Sequence, residues 1–219
     1  GVAVLDGHLE PVSTAVPEPL APWFDRAFVW ESIGLHADRL TLGLGDGRVW
    51  RQDRVRELGT PVLAGDVPIA ATIGHLVDAG DSVLTVTSGT SIPYGSGRPE
   101  THPPEAHPRE NTLWALDPTT LETLWTWRGS ERLHGLTVGP RWIVVGVSPA
   151  DADPERHGLL VFDRQRSGTG AERLAASCAT GAPVFWRAGL APDGRIAVVS
   201  FPEKRGEDVV GVYRVSLFL

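Results

Sequence analysis

The sequence predicts an all-β protein, a β-propeller of four-stranded antiparallel blades with four to five blades visible. Three observations carry that prediction. Similar runs recur at residues 31–42, 72–86, 132–145 and 185–199, the period of about 40–50 residues that marks stacked or radial repeats. Each run leads into a further apolar strand, usually closed by Asp. No segment holds a helical period over about 11 residues.

The elements follow in a fixed order. Each repeat opens with a strand carrying a glycine: Gly34, Gly74, Gly135 or Gly189. A turn follows at Ala37 and Asp38, Gly80 and Asp81, Gly139 and Pro140, or Asp193 and Gly194, mostly residues that suit turn dihedrals. Second strands at 40–44, 83–86, 142–147 and 196–201 are apolar and rich in β-branched residues, as strands buried on at least one face are. Third strands fall at 47–53, 111–117, 158–163 and 210–216, with 1–6 of the same form. Asp6, Asp53, Asp117 and Asp163 hold one position in this scheme. An Asp there bonds to backbone two residues on and starts the hairpin turn. A fourth strand is clear at 121–127 and weaker at 173–178 and 61–65, as the exposed outer edge of a blade is.

Four strands per repeat in radial array make a propeller. Each sheet is apolar on both faces and has to be sandwiched, with Trp and Phe filling the wedge and glycines crowding the axis. The phase gives a partial blade at 1–20 and blades at about 27–65, 70–128, 132–178 and 183–219, the last with three strands. Two organisations stay open: a ring of four or five blades closed by an N-terminal strand, or part of a larger ring.

Composition narrows the classes of function. The chain has 219 residues, 42% hydrophobic and 21% charged, enough for one substantial β domain. A formal charge of −7 argues against a nucleic-acid partner, which needs clustered cations. Lys204 is the sole lysine, an Arg bias read as GC-rich, bacterial coding. The sequence has no apolar run of about 18 residues, so no membrane span is predicted. Cys178 is alone, so no intrachain disulfide forms and the compartment is not revealed. The chain has no Met; its start is read as processed or trimmed, with any leader upstream.

Residues 111–125 resemble the repeat of the quinoprotein-like (PQQ-like) propellers, a WD40-like superfamily, through Leu116, Asp117 and Trp125. Residues 158–163 resemble its first half, and 191–198 the generic first turn of seven-bladed bacterial propellers. The resemblance implies a wide range of roles. Some members are dehydrogenases holding a quinone and calcium at the axis; others are scaffolds in outer-membrane assembly or sensor modules fused to kinases. The enzymes carry adjacent cysteines over the quinone, which this chain, with Cys178 alone, lacks.

The longest insertion, 88–110, holds Tyr94, Arg98, His102, Glu105, His107 and Glu110. Imidazole suits transition metals, which makes His102 and His107 metal candidates, but a proline-rich loop splays its side chains. A second insertion, 148–157, carries Asp151, Asp153 and Glu155 in alternation, like part of a calcium loop without its glycine or full ligand set. A third spans 202–208. All three join second to third strands and project from one face, which is the predicted binding face. His75 and His134 adjoin the inner-strand glycines and are candidates to line a central channel, or are hydrogen-bonded core histidines. Trp125 and Trp127 share a strand face, either as blade packing or as an aromatic patch for a protein or glycan. Neither a Gly-x-Ser-x-Gly elbow nor a phosphate-binding loop is present.

The expected function is a noncatalytic scaffold for protein–protein interaction, within a larger protein or assembly and with protein partners or fused domains. No cofactor is predicted; calcium or quinone is the alternative. The competing readings are a propeller enzyme (quinoprotein-like dehydrogenase, hydrolase or lyase) and a glycan-binding lectin.

Overall fold

A short hairpin of β1 (Val2–Leu5) and β2 (Pro11–Ala15) precedes the main body. Sheet I joins β3 (Ile33–His36), β4 (Arg39–Gly43) and β5 (Val49–Asp53). Sheet II joins β6 (Ile73–Asp78), β7 (Val83–Thr87), β8 (Thr112–Leu116) and β9 (Thr123–Arg128). Sheet III joins β10 (Arg132–Val138), β11 (Trp142–Ser148), β12 (Gly158–Asp163) and β13 (Leu174–Ala179), with a short helix α1 (Gly170–Arg173) before its last strand. In sheet IV, β14 (Gly189–Leu190) and β15 (Ile196–Ser200) lead through a separate hairpin, β16 (Glu203–Arg205) and β17 (Asp208–Val210), into β18 (Arg214–Phe218). The computed structural model describes residues 2–5, 11–15, 32–43, 49–53, 73–87, 109–148, 157–184, 186–205 and 208–218.

Every sheet is antiparallel, and each of sheets I to IV runs outward in chain order. First strands adjoin from sheet to sheet: β3 beside β6, β6 beside β10, β10 beside β14. Apolar side chains fill the space between sheets. Val49 of sheet I meets Leu76, Val83 and Trp114 of sheet II. Leu84, Val86 and Leu113 of sheet II meet Ile143, Val145 and Phe162 of sheet III. Val144 and Leu159 of sheet III meet Ile196 and Val198 of sheet IV. In β11 the alternation is direct: Ile143 and Val145 face sheet II, while Val144 faces sheet IV. A strand apolar on both sides is thus sandwiched, as its sequence requires, and each such side chain contributes about 1.5–3 kcal/mol. The outer face of sheet IV differs. Val199, Val215 and Leu217 share it and are 40%, 73% and 72% exposed.

The repeat glycines have distinct causes. A Cβ on Gly34 would lie 2.7 Å from the Asp78 backbone nitrogen, so crowding between inner strands demands glycine there. Gly135 has φ +51° and is the extra residue of a bulge between His134 and Leu136. The Asp turns also divide. Asp117 accepts from the Thr119 and Thr120 amides at 2.7 and 2.8 Å, and Asp163 from the Gln165 amide at 3.0 Å. Asp53 instead pairs with the Arg51 guanidinium, and Asp6 lies outside the described residues.

Two elements differ from the sequence expectation. Helix α1 was not predicted; it is held by a capping box in which Thr169 accepts from the Glu172 amide and Glu172 accepts from the Thr169 amide. The third strand of sheet IV starts at Arg214, not at 210. Gly211, at φ +99°, interrupts the run, and Val210 pairs with Glu203 in the hairpin. The weak strand at 61–65 lies outside the described residues.

Candidate functional site

In sheets II, III and IV the second strand ends at Thr87, Ser148 and Ser200. These are equivalent strand ends, so the connections to the third strands all leave from one end of the fold. The short turns between first and second strands lie at the other end. Of the predicted loop residues, Tyr94, Arg98, His102, Glu105, His107, Asp151, Asp153 and Glu155 lie outside the described residues. Glu110 is half-buried, and its carbonyl accepts from the Thr112 hydroxyl at 3.1 Å. Among the described residues, no three His, Cys, Asp or Glu side chains are grouped to hold a metal ion.

The loop-bearing end gathers histidines. A bulge sits beside each channel candidate: Gly74 is the extra residue before His75, and Gly135 the extra residue after His134. Bulges re-aim neighbouring side chains. The His134 Nε2 lies 2.7 Å from the Ser148 hydroxyl, and Ser148 is buried. His157 is buried where the chain enters β12, one residue beyond the Val147 and Gly158 pair. Burial first, then the positive fields of His75, Arg132 and His157, push the His134 pKa down to about 4. His134 is therefore neutral near pH 7. The pair is a hydrogen bond that ties β10 to the end of β11.

An aromatic row lies at the same end of sheet IV. Phe201 follows β15 and Tyr213 precedes β18, their ring centroids 5.2 Å apart and edge-on at 70°. Trp186 packs against Phe201 at 6.1 Å with its ring tilted by 46°. Trp186 is 42% and Tyr213 66% exposed, with Val212 beside them at 64%. The sequence places Tyr213 inside the third strand expected at 210–216. The register that pairs Ser200 with Arg214 brings Phe201 and Tyr213 together. Trp125 and Trp127 are placed differently. Both are half-buried against Phe162 of sheet III, at 6.4 and 5.5 Å. The Arg173 guanidinium covers Trp125 at 5.1 Å. These two tryptophans join sheet II to sheet III.

These features define an all-β protein of consecutively packed antiparallel blades, a β-propeller-like fold. In overall structure the chain is similar to the computationally designed Ika4 protein, with a TM-score of 0.56 at 13% identity over 87% of this chain and 91% of that one. At that identity the likeness is one of fold alone. A match to BamB from Moraxella catarrhalis has a TM-score of 0.33 at 14% identity, covering 77% of this chain and 57% of BamB, too remote to bear on function. No family model matches the sequence. No curated protein matches it.

Proposed function

We propose that this chain is a noncatalytic interaction module whose loop-bearing end binds a protein partner. The observation that carries the reading is the row of exposed Trp186 and Tyr213 about the half-buried Phe201, set at the end from which the long connections leave. Tyr and Trp are enriched at protein interfaces and dominate binding energy there. Connections on a rigid sheet scaffold are where binding residues concentrate.

The test is site-specific cross-linking in the producing cell. A photoreactive phenylalanine analogue at position 213 is expected to give a discrete protein adduct, and the same analogue at position 38, on the short-turn end, none. Trp186→Ser with Tyr213→Ser is expected to weaken capture of the adduct partner by about 2 kcal/mol or more. Equal adducts at both positions, or none at 213, would overturn the reading.

A further inference from the structure

We propose that the free edge of β13 takes up an extended peptide as an added strand, seating one apolar side chain of that peptide in the cleft between sheets II and III. This does not rest on the aromatic row, which belongs to sheet IV. The cleft has a volume of about 300 Å³ and is lined by Trp127, Glu131, Val147, Leu160, Ser177 and Ala179 among others. That is the lower end of small-ligand pockets and ample for one side chain. Trp127, Val147, Leu160 and Leu174 give the cleft an apolar wall, His157 and Ser177 share its lining and Glu131 adds an acid, so the fitting residue is a Leu- or Met-sized one near a basic neighbour.

The adjoining edge is unguarded. Among the described residues β13 is the last strand of its sheet, and Leu174–Ala179 contains no charge and no proline, the devices that normally protect an edge. Ala175, Ala176, Ser177 and Ala179 are exposed. The equivalent strand of sheet II is covered: α1 lies on β9, so close that a Cβ on Gly170 would sit 2.4 Å from the Thr126 carbonyl oxygen.

The register links edge and cleft. The Thr180 amide donates to the His157 carbonyl at 2.9 Å, so these two form a hydrogen-bonded pair. Pairs alternate along an antiparallel ladder, and the next hydrogen-bonded pair is Cys178 with Leu159. Ser177 and Ala179 therefore turn their backbone N–H and C=O groups away from β12. By the two-residue period their side chains share a face, and both line the cleft. An added strand would gain main-chain hydrogen bonds from the same two residues that present the side-chain pocket, the two components of recognition by strand addition.

The probe is a fluorescent peptide series, Val-Lys-Thr-X-Thr-Lys-Val, read by polarisation against the whole chain. X = Leu or Met is expected to bind at least about tenfold tighter than X = Gly or Asp. Ser177→Pro removes one outward N–H at a position where an edge strand tolerates proline; it is expected to weaken the Leu peptide at least about tenfold. The same peptide with its backbone amides methylated is expected to fail on the wild-type chain, which keeps the test open if Ser177→Pro does not fold. Equal binding for every X, tight binding by the methylated peptide, or full binding by a folded Ser177→Pro would each overturn the proposal. Cross-links at position 213 are expected to persist in Ser177→Pro, so the two binding surfaces succeed or fail separately.

Discussion

His134 makes the pH dependence of this fold specific. Its pKa in the folded chain is near 4, against 6.5 for an unperturbed imidazole. Between those values the unfolded chain binds a proton that the folded chain refuses, so stability rises with pH across the window. Stability is therefore full above about pH 6.5, falls as pH drops towards 4, and has lost at most about 3 kcal/mol there. The carboxylates of Asp117, Asp163 and Glu172 are held below their ordinary values by hydrogen bonds from backbone amides, with the Arg141 guanidinium also acting on Asp163. Their losses come as pH falls through the lower carboxylate range, below most of the His134 window. Urea midpoints of wild type and His134→Gln at about pH 7 and about pH 4.5 check this; the variant is expected to lose much of the slope. The sequence places His134 beside an inner-strand glycine, and that much is legible. Ser148 as its partner is not, because the contact depends on how the bulge at Gly135 shifts the pairing with β11.

At the scale of elements, the four repeat glycines look alike in sequence and differ in the fold. Gly34→Ala would press a methyl group to 2.7 Å from a backbone nitrogen of the neighbouring sheet, and overpacking of this kind costs about 1–3 kcal/mol. Gly189→Ala meets nothing closer than 3.6 Å and has no left-handed φ, so its effect is expected within about 0.5 kcal/mol. Chemical denaturation of the two variants separates them; equal costs would mean that the glycines share one role after all. Alternation and turn residues make β4, β7, β11 and β15 readable, because both depend on neighbours a few positions apart. Helix α1 escaped that reading because four residues carry no period, although Thr169 and Glu172 spell its capping box. β18 was displaced because the apolar run across 210–216 hides Gly211, whose left-handed backbone ends one hairpin before the next strand begins.

The order of the whole molecule follows from strands apolar on both faces, but the ties that fix one sheet on the next do not show in the sequence. They converge on the turn from Asp78 to Asp81. From sheet I, Arg39 grips Asp78 with two hydrogen bonds of 2.7 Å and donates to the Gly80 carbonyl at 3.1 Å. From sheet III, Arg164 donates to the Ala79 carbonyl at 3.2 Å and pairs with the Asp81 carboxylate. One turn of sheet II is thus held from both sides by planar guanidinium forks, which suit carboxylates better than an ammonium does. The two members of the inner pair are unequal. The Asp78 carboxylate is wholly buried, whereas the Arg39 side chain keeps 19% of its surface in water. Removing the acid leaves a partly buried cation without its counter-charge, so Asp78→Ala is expected to cost about 3 kcal/mol. Arg39→Met strands the buried acid and should cost a similar amount. The double variant removes both charges at once, and its cost is expected to fall short of the sum of the singles by about 1–3 kcal/mol. A double-mutant cycle in urea measures that coupling; strictly additive losses would show that the pair leaves the stacking of sheet I on sheet II to the apolar contacts of Val49 with Leu76 and Val83.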